Sequence, residues 1–394
     1  MLLLLALACG ARNAPPPPVA EAGPVVLPSA GAAADLAAAR AFSATRPPYE
    51  RPFDDGTGAL SAAACGACHT EIYAAWQRST HARAWTDVQF QAEITKSGNR
   101  WLCLNCHTPL RTQQDRLAVG IIGDDVEQPR LVENGAFDPA LRAEGITCAA
   151  CHLRDGVIHG PGLPDSAAPH AVVADPDFVG ATLCLRCHEA EVTYPGKSFA
   201  CAFDTGATWA AGPAAAAGKA CPDCHMPRSE APAALGGPTR SVAQHGWPGS
   251  GIPKSADHQP LPFEPGLDLQ AIWRGDTVQV TATNARAGHS LPTGDPERWI
   301  ALSLTFTDAA GQTRGPGWSA RIGQTWRWWP EAVRIADERI PAGGARSWTV
   351  SAPAGATEGL LVATSNRISA ETAAYHQLGD YPRAVETHRL WLRP

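Results

Sequence analysis

The sequence predicts an α+β chain of several domains, in which a mainly helical, loop-rich half precedes an antiparallel β-sandwich. Three observations predict it. A C-x-x-C-H pattern recurs five times between residues 65 and 225. Beyond about Leu261 there is no Cys, while eight of the thirteen Trp fall there. Over the same stretch apolar and polar residues alternate with period two, the signature of half-buried strands. The length of 394 residues allows two or three domains. Organisation by residue number is a leader at 1–9, a Pro/Ala-rich linker at 10–58, the Cys/His domain at 59–258 and the β-domain at 259–394.

The leader is a short apolar run ending in Ala6, Leu7, Ala8 and Cys9. That pattern resembles a bacterial lipoprotein cleavage site, with Cys9 as the lipidated residue. The linker, including Pro15 to Pro18, has little apolar period and reads as an extended tether. Apart from the leader, no apolar run approaches the roughly 18 to 20 residues of a spanning helix. Net charge is -6 with no block of Lys or Arg, which excludes a nucleic-acid surface.

The five motifs are CGACH (Cys65 to His69), CLNCH (Cys103 to His107), CAACH (Cys148 to His152), CLRCH (Cys184 to His188) and CPDCH (Cys221 to His225). At this composition chance supplies on the order of 0.01 such matches. Two thiols three residues apart, on one helical turn, can add to the two vinyl groups of a haem, and the adjacent His then ligates the iron. A zinc ribbon takes two C-x-x-C pairs per metal and has no use for an odd number. A thioredoxin-like pair occurs once and beside a βαβ unit. A disulfide framework leaves the recurring fifth position unexplained. The reading is five covalently bound haem c groups. Their thiols are Cys65, Cys68, Cys103, Cys106, Cys148, Cys151, Cys184, Cys187, Cys221 and Cys224, and their proximal ligands His69, His107, His152, His188 and His225.

Successive motifs start 38, 45, 36 and 37 residues apart. That is too little chain for a separate core around each haem, so the haems share one. Short helices such as Thr70 to Ala84, long Gly/Pro loops and almost no strand are expected there. Propionates make the holoprotein more acidic than the chain, and Arg, with 28 copies against four Lys, is the bidentate partner for carboxylates.

Eight His remain for the second axial positions. His81 stands 12 residues from His69, about 18 Å along a helix; it is expected to ligate a neighbouring haem. His159 and His170 lie in the loop GVIHGPGLPDSAAPH, His245 in QHGWPG and His289 in GHSLPTG between two predicted strands. These five are the expected distal ligands. His258 is evenly balanced, and His376 and His388 are expected to be non-ligands. Expected strands in the last third are Thr277 to Asn284, Trp299 to Asp308, Arg346 to Ser351 and Gly359 to Thr364. Cys201 has no assigned partner.

The stretch Cys65 to Ala84 resembles the opening of the cytochrome c554 type of multihaem cytochrome, with Trp76, Ser79 and His81 in the places of its Trp, Ser and axial His. GITCAACH, CPDCHMP and QHGWPG are similar to the same broad group. Asn284 to Gly294 and Asp337 to Gly344 resemble a C-terminal domain appended to some members. The resemblance implies electron transfer in the periplasm or at the cell surface, between a membrane or periplasmic donor and a distal or extracellular acceptor. Five motifs depart from a four-haem pattern, so haem stacking is not carried over. Two other readings stand beside the carrier: a nitrite or hydroxylamine reductase with one open haem, and a subunit of a self-assembling haem chain. Expected partners are redox proteins, and a membrane through the lipid on Cys9.

Overall fold

The computed structural model describes residues 31–37, 61–96, 101–123, 125–154, 156–162, 168, 170–193 and 200–394. Cys9 and most of the linker lie outside them. Residues 31–37 are helical and correct the reading of a continuous tether. Ala32 is buried against Ala181, Leu185, Trp209, Ala210 and Ala215. Asp35 accepts hydrogen bonds from the Ala181 N–H (3.2 Å) and the Thr182 hydroxyl (3.4 Å), at the start of the helix bearing the fourth motif.

Four motifs wind wholly into a short helix, and in the first the helix carries Cys65 but ends at Gly66, with Cys68 and His69 just beyond it. These helices are Ala62–Gly66, Trp101–His107, Cys148–His152, Thr182–His188 and Cys221–His225. The near absence of strand expected here is overturned. Hairpins β1 (Arg116–Ile122) with β2 (Asp125–Glu133) and β6 (Glu189–Thr193) with β7 (Ala200–Asp204) lie between motifs, and β8 (Arg228–Pro232) with β9 (Thr239–Ala243) follows the fifth. After the third motif β3 (Leu153–Arg154) pairs antiparallel with β4 (Val157–Gly160), which runs parallel to β5 (Val172–Ala174). Cys201 lies on β7, opposite Val192.

The β-half is a two-layer sandwich. Strands β10 (Leu267–Arg274), β11 (Thr277–Asn284) and β15 (Ala345–Ser351) form one sheet. The other runs in the order β14 (Val333–Asp337), β13 (Thr313–Arg327), β12 (Trp299–Thr307), β16 (Glu358–Asn366), β17 (Ala384–Leu392). Alternation delivers Leu267, Leu269, Val278, Val280 and Ala282 from the first sheet into one core with Ile300, Leu302, Leu304, Phe306, Leu361 and Ala363 from the second. The Cys/His half has only separate small clusters, such as Leu110, Leu141, Ala149, Ala150 and Leu153. No helix of the described residues is long and apolar enough to cross a membrane.

Candidate haem-binding site

The expected helix from Thr70 to Ala84 stops at Gln77. Trp76 donates its indole N–H to Ile146 O (2.8 Å), and the buried Ser79 hydroxyl accepts from the Ala82 N–H (3.3 Å). The chain therefore bends, and His81 leaves the line of the helix. Gly145 lies against this bend with a positive φ of 65°; a Cβ there would sit 2.7 Å from His81 O and 3.0 Å from Ala84 N. Both contacts are backbone, so nothing flexible can yield. Gly145→Ala is expected to cost about 1–3 kcal/mol and to disturb His81 first, which thermal unfolding read at a haem absorbance band will show.

Two imidazole nitrogens, each about 2.0 Å from one metal and about 1.1 Å from its ring centre, put the ring centres roughly 6.2 Å apart. Four pairs of imidazoles stand at that spacing. They are His69 with His170 (6.3 Å), His81 with His188 (6.2 Å), His152 with His245 (6.1 Å) and His225 with His289 (6.2 Å). Each joins a motif His to one of the expected distal His. His81 faces the fourth motif and not its own, the crossing anticipated from its distance.

Ring orientation fits the same group. Nδ1–H of His69 donates to Ala233 O (2.7 Å), that of His107 to Ala84 O (2.8 Å), that of His152 to His159 O (2.7 Å) and that of His225 to Pro248 O (2.8 Å). Distal His245 and His289 do likewise, to Ala243 O (2.9 Å) and Ser290 O (3.0 Å). With Nδ1 engaged, the tautomer is set and Nε2 carries the lone pair a metal needs. Burial holds the pKa of His81 down to about 3, and those of His107, His188 and His245 down to about 4. The neutral, ligating form prevails at pH 7. Among the described residues no three of His, Cys, Asp or Glu converge on one point.

The structure corrects the expectation for His159. Strand β4 lays it behind His152, where its carbonyl takes the His152 Nδ1–H and its own Nδ1 lies 3.2 Å from Asp175 Oδ2. It orients a motif His and faces none. His258 uses both ring nitrogens: Nδ1 accepts the Lys254 N–H (2.8 Å) and Nε2 donates to Arg78 O (2.9 Å). His376 pairs with Glu93 (2.9 Å), and His388 Nδ1 meets the Thr387 hydroxyl (3.1 Å).

His107 is left over. All thirteen His lie within the described residues, and none stands opposite it at the two-ligand spacing. Phe90 stacks flat on its ring, 3.7 Å away and 3° from parallel. The charges it senses are Lys254 and Asp87. Sequence reasoning missed this, and missed Trp247. The Trp247 ring packs edge-on against His81 (4.5 Å) and His245 (5.2 Å), filling the space between two distal imidazoles. Its φ of 41° is unusual for a bulky side chain. The only signal was its place between His245, Gly246 and Pro248.

The motif thiols adjoin across the chain as well. Cys65 and Cys148, Cys106 and Cys187, and Cys184 and Cys221 lie within hydrogen-bonding reach. The attachment points of the first and third, second and fourth, and fourth and fifth motifs are thus neighbours.

The family described as cytochrome c554 and c-prime matches residues 64–153, which hold the first three motifs and His81. A penta-heme cytochrome c552 from Thermochromatium tepidum has a similar fold, with a TM-score of 0.61 and 19% identity over 89% of this chain and 100% of that one. A hypothetical protein from Pyrococcus horikoshii aligns over 33% of this chain and 89% of its own at 12% identity, but its TM-score of 0.16 carries no argument. No curated protein sequence matches the chain.

Proposed function

We propose that the chain is an exported pentahaem c-type cytochrome that relays electrons, with four haems held between two imidazoles and one held by His107 alone. The observation that carries it is the set of four imidazole pairs at 6.1 to 6.3 Å. In this reading His170, His81, His245 and His289 are the distal ligands of the haems attached through the first, fourth, third and fifth motifs. An iron saturated by two imidazoles has no place for substrate, and all-His ligation favours low potentials. Haem c when bound supplies one-electron chemistry at each iron; the chain orients the imidazoles, excludes water and sets neighbouring attachment points side by side. Adjacent thiols from different motifs and Trp247 wedged between two distal rings support transfer between haems. Export follows from the attachment chemistry, and a periplasmic or surface location on a lipid anchor at Cys9 belongs to the same proposal.

A second reading has its own observation. His107 has no second imidazole, and Lys254 and Asp87 lie within reach of its charge. A reductase of nitrite or hydroxylamine would use that haem. Electron paramagnetic resonance of the oxidised holoprotein is expected to show four low-spin haems and one high-spin haem per chain. Five low-spin haems would overturn the assignment of His107. Turnover of nitrite or hydroxylamine from a reduced viologen would make the chain an enzyme; full reduction without turnover leaves it a carrier.

A further inference from the structure

Where the β-sandwich meets the Cys/His half, charge is enclosed without balance. Asp87, Lys254, Arg298, Arg367 and Tyr381 come together there from both halves of the chain. Asp87 is 4% exposed and is the carboxylate of the group; it pairs with the Lys254 ammonium and accepts the Tyr381 hydroxyl at 2.7 Å. Arg367 is 3% exposed and spends its N–H groups on neutral oxygens: Ile252 O (2.7 Å), Pro253 O (3.1 Å) and the Tyr381 hydroxyl. Its charge meets dipoles but no anion.

Arg298 is the stronger anomaly. Its Nε is sealed from solvent and has no hydrogen-bond partner. No carboxylate of the described residues comes within ion-pair distance of its guanidinium. Asp295, three residues earlier, is turned to the Glu297 N–H at 2.8 Å. Arg298 as a whole is half-buried, and its guanidinium lies beside Gly294, where a Cβ would stand 3.3 Å from Nη1. A cation enclosed without a partner is among the most unfavourable arrangements a fold can hold, and natural folds supply the counter-charge. The carboxylate of Asp295, beyond ion-pair distance, is the largest charge that Arg298 senses, followed by Arg367 and then Asp87; the charge of Arg298 itself reaches Lys254 and His188.

We propose that Arg298 binds a propionate of the haem held by His188, so that the β-domain supplies a carboxylate-binding residue to a cofactor attached in the other half. The missing partner has to be an anion, planar enough for a guanidinium fork and delivered close to His188. A haem carboxylate meets all three conditions. Arg is suited to it because two parallel N–H···O bonds fix direction as well as charge, which an ammonium does not. Arg298 also immediately precedes β12, the middle strand of the larger sheet. The pairing thereby ties the potential of one haem to the docking of the sandwich.

The inference rests on the pairing of His81 with His188, and the test separates the two. Holoproteins carrying Arg298→Gln and Arg298→Lys are titrated redox-potentiometrically, with low-spin signals resolved by electron paramagnetic resonance. His81→Ala, in a parallel titration, identifies the signal of the His188 haem by abolishing it. In Arg298→Gln that one haem is expected to fall in midpoint potential, because an unpaired carboxylate favours the ferric state, while the others hold. Arg298→Lys is expected to restore part of the shift. Propionate bending modes in the resonance Raman spectrum are expected to move in Arg298→Lys, a readout that survives if Arg298→Gln fails to assemble. Unchanged potentials in a folded Arg298→Gln protein, a shift confined to another haem, or unmoved Raman modes overturn the proposal. If His81→Ala leaves every low-spin signal intact, the coordination reading fails and the proposal falls with it.

Discussion

His289→Ala is expected to raise the high-spin share of the haem from one in five to two in five, by removing the second imidazole opposite His225. The rings stand 6.2 Å apart and 9° from parallel, the best aligned of the four pairs. Yet they come from different halves of the chain, His225 from the fifth motif and His289 from the loop between β11 and β12. That loop is held from both sides. Buried Asn284 donates to His289 O (2.8 Å) and Ile340 O (3.0 Å) within the sandwich. Across the junction the Ser290 N–H donates to the Thr208 hydroxyl (3.3 Å), the Thr205 and Thr293 hydroxyls share a hydrogen bond (2.8 Å), and Arg339 forks onto Asp204 at 2.7 and 2.6 Å. A Cβ on Gly212 would stand 2.9 Å from Gly288 O, which shows how closely the two backbones approach.

The iron–imidazole bond is thus the last member of an interface that already exists, and losing it leaves the loop in place with nothing to substitute. His388→Ala, on β17 of the same sandwich, removes an imidazole held by the Thr387 hydroxyl and the Leu267 backbone and is expected to leave the spin count unchanged. Equal high-spin signals in the two variants would remove His289 from the ligand set.

The parts of the site written in contiguous residues were legible in the sequence. A proximal His is adjacent to its second thiol, so the motif carries its own geometry. Distal ligands are non-local, and reasoning from demand placed four of five at motif rings. His159 was indistinguishable in sequence from His170, eleven residues later in the same loop. Their fates differ because β4 binds His159 into a ladder beside Val173, behind the ring of His152, while His170 precedes β5 and reaches His69. Saturating every iron was a premise the fold does not honour at His107.

The sandwich was half legible for a similar reason. Strands β11, β12, β15 and β16 pack one face on the core and show clean alternation. β13 carries Gly315, Pro316 and Gly317, a turn signal in sequence. In the fold Gly315 and Gly317 take φ of 67° and 71° at the bulge opposite Leu304 and Phe306, and the strand continues through. Hairpin β8–β9 is mostly exposed on both faces, so no periodicity marks it. Its turn is tied to the first motif, where Ala233 O accepts from His69 Nδ1–H (2.7 Å) and the Leu235 N–H donates to Cys68 O (2.9 Å), a constraint that hydrophobic pattern does not record.

Replacing all ten motif thiols by Ser is expected to unfold residues 61–258 and leave the sandwich folded, the largest effect of any change considered. Ordering a residue costs about 1–2 kcal/mol of backbone entropy, and a fully buried Leu or Val returns about 1.5–3 kcal/mol. In the sandwich a continuous core of both sheets, with Val278, Val280, Leu302, Leu304, Ile322 and Leu361 fully enclosed, meets that demand. In the Cys/His half the largest side chains gather in isolated clusters such as Phe90, Ile94 and Leu104, separated by segments with no apolar core of their own. The five motif imidazoles there all keep some exposure, as surfaces left for a further partner would. In the pentahaem reading the porphyrins complete the core of that half, and without them the hairpins and short motif helices have little to pack on. Amide hydrogen exchange on the Ser-substituted chain is expected to show protection confined to β10 through β17. Native-like protection of the motif helices in that chain would mean that the small clusters suffice and that the haems fill a preformed shell.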